Sequence, residues 1–142
     1  MALFTQDSLI FRLLKRLAGS DDNDNGQSWL DEISVEKKGE VTVLSSDNIH
    51  LVEAHGDGVS ISATSGTYLK PGTISSFERE LDPAKFVRIH RTTIININKI
   101  VNVSPLIAGR FRFEISNGST VTSSLDYQEA IGKALPEFGE IS

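Results

Sequence analysis

The chain has 142 residues, 39% of them apolar, a formal net charge of −5 and no cysteine. That length suits one domain with a short appended element, and the missing cysteines exclude disulfides, thiolate metal sites and cysteine nucleophiles while fitting a reducing, cytoplasmic setting. No apolar run approaches the roughly 20 residues a bilayer crossing needs, and Arg12, Lys15 and Arg16 follow the first apolar cluster instead of preceding it as in a secretory signal, so no membrane role is expected.

Residues 3–18 read as an amphipathic helix, with Leu3, Leu9, Ile10, Leu13, Leu14 and Leu17 at spacings of three and four and Gly19 at its end. Such a stripe needs a partner in water, and the expectation is a homodimer through residues 3–18, with docking on the chain's own β domain as the other option. Ser20 to Ser28 has no apolar residue and reads as a linker. The division is therefore a helix at 1–19, an acidic linker at 20–32, a domain at 33–135 and a tail at 136–142.

Within the domain the period is that of strands. Ile33 to Val35, Val41 to Leu44, Ile49 to Val52 and Val59 to Ala63 alternate or run apolar, separated by turn signals such as Lys38-Gly39-Glu40, Ser46-Asp47-Asn48 and Gly56-Asp57-Gly58. Gly66 marks the turn into Thr67 to Leu69. Ile74, Phe77 and Leu81 stand at helical spacing before Asp82-Pro83. Strands resume at Val87 to Ile89, Thr93 to Ile97, Ile100 to Val103, Arg110 to Ile115 and Thr120 to Thr122, with Asn117-Gly118 a hairpin signal between the last two. A final helix is expected from Asp126 to Leu135. Many short strands with brief helices predict a mainly β fold of antiparallel sheets with one short internal helix, a C-terminal helix and the N-terminal amphipathic helix.

Charge is unevenly distributed. Ala84 to Phe113 contains Lys85, Arg88, Arg91, Lys99, Arg110 and Arg112 and no acidic residue, so an acidic chain carries one stretch able to attract phosphate. Catalytic signals are few. His50 and His55 are placed on opposite sides of a strand, which makes a poor metal pair. No serine sits in a nucleophile elbow, and Gly56-Asp57-Gly58 is too short and acidic for a phosphate loop. No enzyme activity, cofactor, metal or small-molecule substrate is expected.

The run Phe86-Val87-Arg88-Ile89-His90-Arg91-Thr92-Thr93-Ile94-Ile95-Asn96-Ile97-Asn98-Lys99-Ile100 resembles the signature of the LytTR-type DNA-binding domains of bacterial transcription regulators. Val52-Glu53-Ala54 with Gly56-Asp57-Gly58-Val59 is similar to that family's strand-and-turn segment. Ser75 to Leu81 is similar to its short helix, and Asn117-Gly118, Ser124 and Tyr127 to its C-terminal end. The resemblance covers about one hundred residues in order. It implies elongated antiparallel sheets whose loops enter the major groove of duplex DNA, where base edges are distinguishable.

By that resemblance the readers are the turn His55-Gly56-Asp57, then Arg91, then an arginine after the last strand's serine. The chain departs from the pattern at the third, with Ser124-Leu125-Asp126-Tyr127. Asp126 is expected to cap the last helix. The expected DNA-binding residues are Arg91, His55, Arg88, His90, Lys99, Arg110, Arg112 and Ser124. Arg88 and His90 are placed on one strand face and Arg91 on the other, with pairing of Arg91 to Glu78 or Glu80 as its structural alternative. The competing function is a protein-interaction module on the same scaffold with weakened or lost DNA binding, favoured by Leu125 and the overall acidity.

Overall fold

A computed structural model describes residues 29–136, and the helix expected at 3–18, most of the linker and the last six residues of the tail lie outside them. Within the described residues ten strands and two α-helices follow in order: β1 (Glu32–Lys37), β2 (Glu40–Ser45), β3 (Ile49–His55), β4 (Gly58–Ala63), β5 (Gly66–Pro71), α1 (Ile74–Glu80), β6 (Phe86–His90), β7 (Thr93–Asn96), β8 (Ile100–Pro105), β9 (Phe111–Ile115), β10 (Thr120–Thr122) and α2 (Gln128–Ala134). All pairings are antiparallel and form three sheets: β1-β2, the central β5-β4-β3-β7-β6, and β10-β9-β8.

The central strands read as apolar runs because both their faces are covered. Val52 and Ile94 face a core with Ile33, Val35 and Leu44 of the β1–β2 hairpin and Ile74, Phe77 and Leu81 around α1. Their chain neighbours Leu51 and Ile95 face a second core with Phe111, Phe113 and Ile115 of β9 and Ile131 and Leu135 around α2. The period of two alternates side chains between these layers. Each such side chain, fully buried, stabilises the fold by about 1.5–3 kcal/mol.

Local chemistry sets the element ends. Lys38 and Gly39 both take positive φ, 54° and 82°, in the two-residue turn between β1 and β2. Thr73 caps α1 by accepting from the Ser76 N–H at 3.1 Å, and Pro83 lies just beyond its end. Packing starts before the expected boundary at 33, because Leu30 lies against the first core and its N–H donates to the Glu80 carbonyl at 2.9 Å. The C-terminal helix also differs from expectation. Leu125–Tyr127 form a 3₁₀ turn, and α2 begins only at Gln128. The residue that caps this turn is Ser124, whose hydroxyl accepts from the Asp126 N–H at 3.3 Å, so Asp126 is in the first turn and is not the cap.

Candidate nucleic-acid interface

Antiparallel pairing of β3 with β7 sets Glu53 opposite Thr93, which brings the turn after β3 and the turn before β7 to one end of the central sheet. The Ala54 N–H donates to the Thr92 carbonyl at 2.9 Å and locks the two turns together. In the first turn His55 and Asp57 are exposed and Gly56 sits at φ +57°. Gly58 is required for a different reason: a Cβ there would collide with the Lys70 carbonyl of β5.

Arg88 organises the second turn from inside. It is 9% exposed and donates from Nη1 to Glu78 Oε1 at 2.9 Å and to Ser75 Oγ at 3.0 Å, both on α1. Its Nε donates to the His90 carbonyl at 3.2 Å and its Nη2 to the Arg91 carbonyl. Arg88 is thereby withdrawn from any ligand, contrary to its expected DNA-binding role. The helix carboxylate expected as an alternative partner for Arg91 belongs to Arg88 instead. A register shift between Arg88 and His90 also breaks the alternation that was to place those two on one face.

With its carbonyl held from below, Arg91 is exposed and has no ion pair among the described residues. The half-buried His90 is oriented by its neighbour. The Thr92 N–H donates to Nδ1 at 3.2 Å, and the Thr92 hydroxyl lies 2.9 Å from the same nitrogen. A backbone N–H can only donate, so Nδ1 accepts and the neutral ring carries its proton on Nε2.

A third segment completes this end. The Ser124 N–H donates to the Ile89 carbonyl at 2.9 Å, covering the open edge of β6, and the Tyr127 ring lies 5.4 Å from the Arg88 guanidinium carbon. Ser124 is partly buried and works as a cap and edge contact. Arg110 is exposed just before β9, whose first residue pairs with Ser123 near this segment, the Phe111 N–H donating to Ser123 Oγ at 2.9 Å. Arg112 follows on the solvent face of β9, beside a shallow polar groove lined by Asn102, Ser104, Glu114 and Thr120.

Of the six cations in the acid-free run, the fold thus leaves Arg91, Arg110 and Arg112 exposed, at or leading to one end. Lys85 is paired with Asp47 at 3.2 Å and Arg88 with Glu78. Lys99 is not brought to the group. It ends the 3₁₀ turn Ile97–Lys99 after β7, at the opposite end of the sheet, where its carbonyl accepts from the Ser116 N–H at 2.8 Å.

Its charge acts there on His50. That ring is 8% exposed at a register shift in β3, and its Nδ1 has no partner among the described residues. Burial, then the Lys99 charge, lowers its pKa below 6.5 against an opposing bond with the Ser62 backbone.

Sequence reasoning passed over Thr92 and Tyr127, which orient His90 and meet Arg88. The available signal was Arg88 itself, a charge within Phe86-Val87-Arg88-Ile89 that needs polar partners when buried, with Ser75 and Glu78 three apart on one helix.

Stacked antiparallel sheets that collect exposed cationic and polar turns at one end define a β-scaffold binding domain. The LytTr DNA-binding domain family model matches residues 39–136, and the chain belongs to that family. A solved LytTr DNA-binding domain from Bacillus cereus shares the fold at a TM-score of 0.70 and 23% identity, covering 75% of this chain and 97% of its own. The sensory transduction protein LytT of Enterococcus faecalis is 27% identical over 95 residues, and the transcriptional regulatory protein LytR of Staphylococcus aureus 28% over 96. These alignments cover 67% and 68% of this chain, which spans 39% of the length of each relative.

Proposed function

We propose that the chain binds duplex DNA sequence-specifically as part of a cytoplasmic transcription regulator, with the turns at the Arg91 end entering the major groove. The observation that carries this reading is the state of Arg91: an exposed guanidinium on a turn whose backbone is fixed by Arg88 and by the Ala54–Thr92 bond. A planar fork on a rigid mount suits two parallel bonds to guanine O6 and N7. His90 offers its Nε2 proton and His55 an exposed ring on the turn bonded to it. Arg110 and Arg112 supply charge for phosphates flanking the groove. The regulatory role is carried over from the names of the relatives.

The test is duplex binding across a salt series for wild type and Arg91→Ala. Affinity should fall steeply with salt, and Arg91→Ala should cost about 1–3 kcal/mol. Absence of binding even at low salt would reject the reading in favour of a protein-interaction module, which the exposure of Leu106 and Ile107 supports. Self-association through residues 3–18 would raise the avidity of paired domains. Sedimentation with and without residues 1–20 measures it, an unchanged monomer mass counting against the dimer.

A further inference from the structure

Leu125 is a large apolar side chain left 43% exposed at the Arg91 end, between residues that are tied to the scaffold. The preceding N–H, that of Ser124, bonds the Ile89 carbonyl at 2.9 Å. Two residues later Tyr127 lies against the Arg88 guanidinium. The same guanidinium holds the carbonyls of His90 and Arg91, so one buried side chain touches both the Arg91 turn and the 3₁₀ turn that carries Leu125. A leucine left exposed at the same end as the unpaired Arg91 has an apolar surface available for contact.

The surroundings select the kind of contact. Asp126, exposed and adjacent, would repel a phosphate, which leaves base edges as the DNA surface suited to this position. In the major groove a leucine can donate and accept nothing. The apolar group displayed there is the C5-methyl of thymine, while the polar edges of the other bases would lose water without gaining a bond. A protein-docking face would be expected to be broad and continuous, whereas Leu125 is flanked along the chain by the polar Ser124 and Asp126.

Resting on the DNA-binding reading above, we propose that Leu125 is a specificity-determining residue that packs on a thymine methyl group, in a fixed register with the base contacted by Arg91. Recognition at this position is by apolar contact and not by hydrogen bonding.

The experiment selects duplexes from a random pool with the full chain, then replaces each thymine of the selected site in turn by deoxyuridine, which removes only the methyl group. One position should weaken wild-type binding about fourfold, the scale of one buried methyl. Leu125→Ala should bind the thymine duplex more weakly by at least that factor and be indifferent to deoxyuridine at that position, while Arg91→Ala should retain the methyl dependence. The unfolding midpoint of Leu125→Ala should match wild type because the side chain is exposed.

Binding with no methyl-dependent position, or a dependence that survives in Leu125→Ala, overturns this inference alone. Failure of the wild-type chain to retain any duplex overturns the DNA-binding reading along with it. Unchanged DNA binding by Leu125→Ala with a changed sedimentation mass assigns the side chain to a protein contact and also overturns it.

Discussion

The two ends of the central sheet are built from similar residues and use them differently. At the far end, polar groups are bonded or buried by the chain itself. Asn96, 1% exposed, donates to the Ile49 carbonyl at 2.8 Å and accepts from the Asn98 N–H at 2.9 Å, Lys85 pairs with Asp47, and His50 is buried. At the Arg91 end, one buried residue satisfies the backbone carbonyls, and the side chains of Arg91, His55, Arg110 and Leu125 are left to solvent. A recognition surface needs both conditions at once: a backbone fixed by groups that ligands cannot reach, and side chains with nothing else to bind. On the proposed DNA-binding reading, Arg88 and Arg91, three positions apart, divide those two tasks between them.

Arg88→Met tests this division most severely. Loss of the guanidinium strands the His90 and Arg91 carbonyls and Ser75, while Glu78 is half exposed and can be hydrated. A stability loss of about 2–4 kcal/mol in urea unfolding is expected, together with a fall in DNA affinity as the Arg91 turn loosens. Wild-type affinity in the folded variant would break the comparison. Asn96→Ala removes a buried two-bond bridge at the far end and should cost about 2 kcal/mol of stability. Its selected DNA sequence should match wild type, and a shift in preferred bases would mean that the far end also takes part in reading.

A smaller effect is expected from His50. Its folded pKa lies below 6.5, so the unfolded chain takes up the proton more readily. The stability linked to this group is complete above pH 6.5 and declines as pH falls through the folded value. His50→Gln should flatten the acid side of a stability–pH profile measured between pH 7.5 and 5, and a profile identical to wild type would remove His50 as the cause. The smallest effect on stability is reserved for Arg91→Ala. With the side chain exposed and its carbonyl still available to Arg88, unfolding should stay within about 0.5 kcal/mol of wild type while DNA affinity drops. A large destabilisation would make Arg91 a structural residue like Arg88.

Strand positions and the layered β architecture were legible because burial on two faces forces apolar runs into β3 and β7, and because turns such as Lys38-Gly39 need backbone shapes that few residues adopt. The two turns around His55 and Arg91 were legible from the family resemblance. The partition of the cations was not. Lys85 and Arg88 meet carboxylates on Asp47 and Glu78, which lie outside the acid-free run, and Lys99 is carried to the other end by the length of β7.

The sequence by itself determined where strands form and which residues are charged, since both depend on near neighbours along the chain. Only the tertiary structure decided which charges remain available to a ligand. Availability depends on the antiparallel register and on what a helix or a loop from elsewhere in the chain lays across each side chain, and the energy of a buried cation is settled by those distant partners.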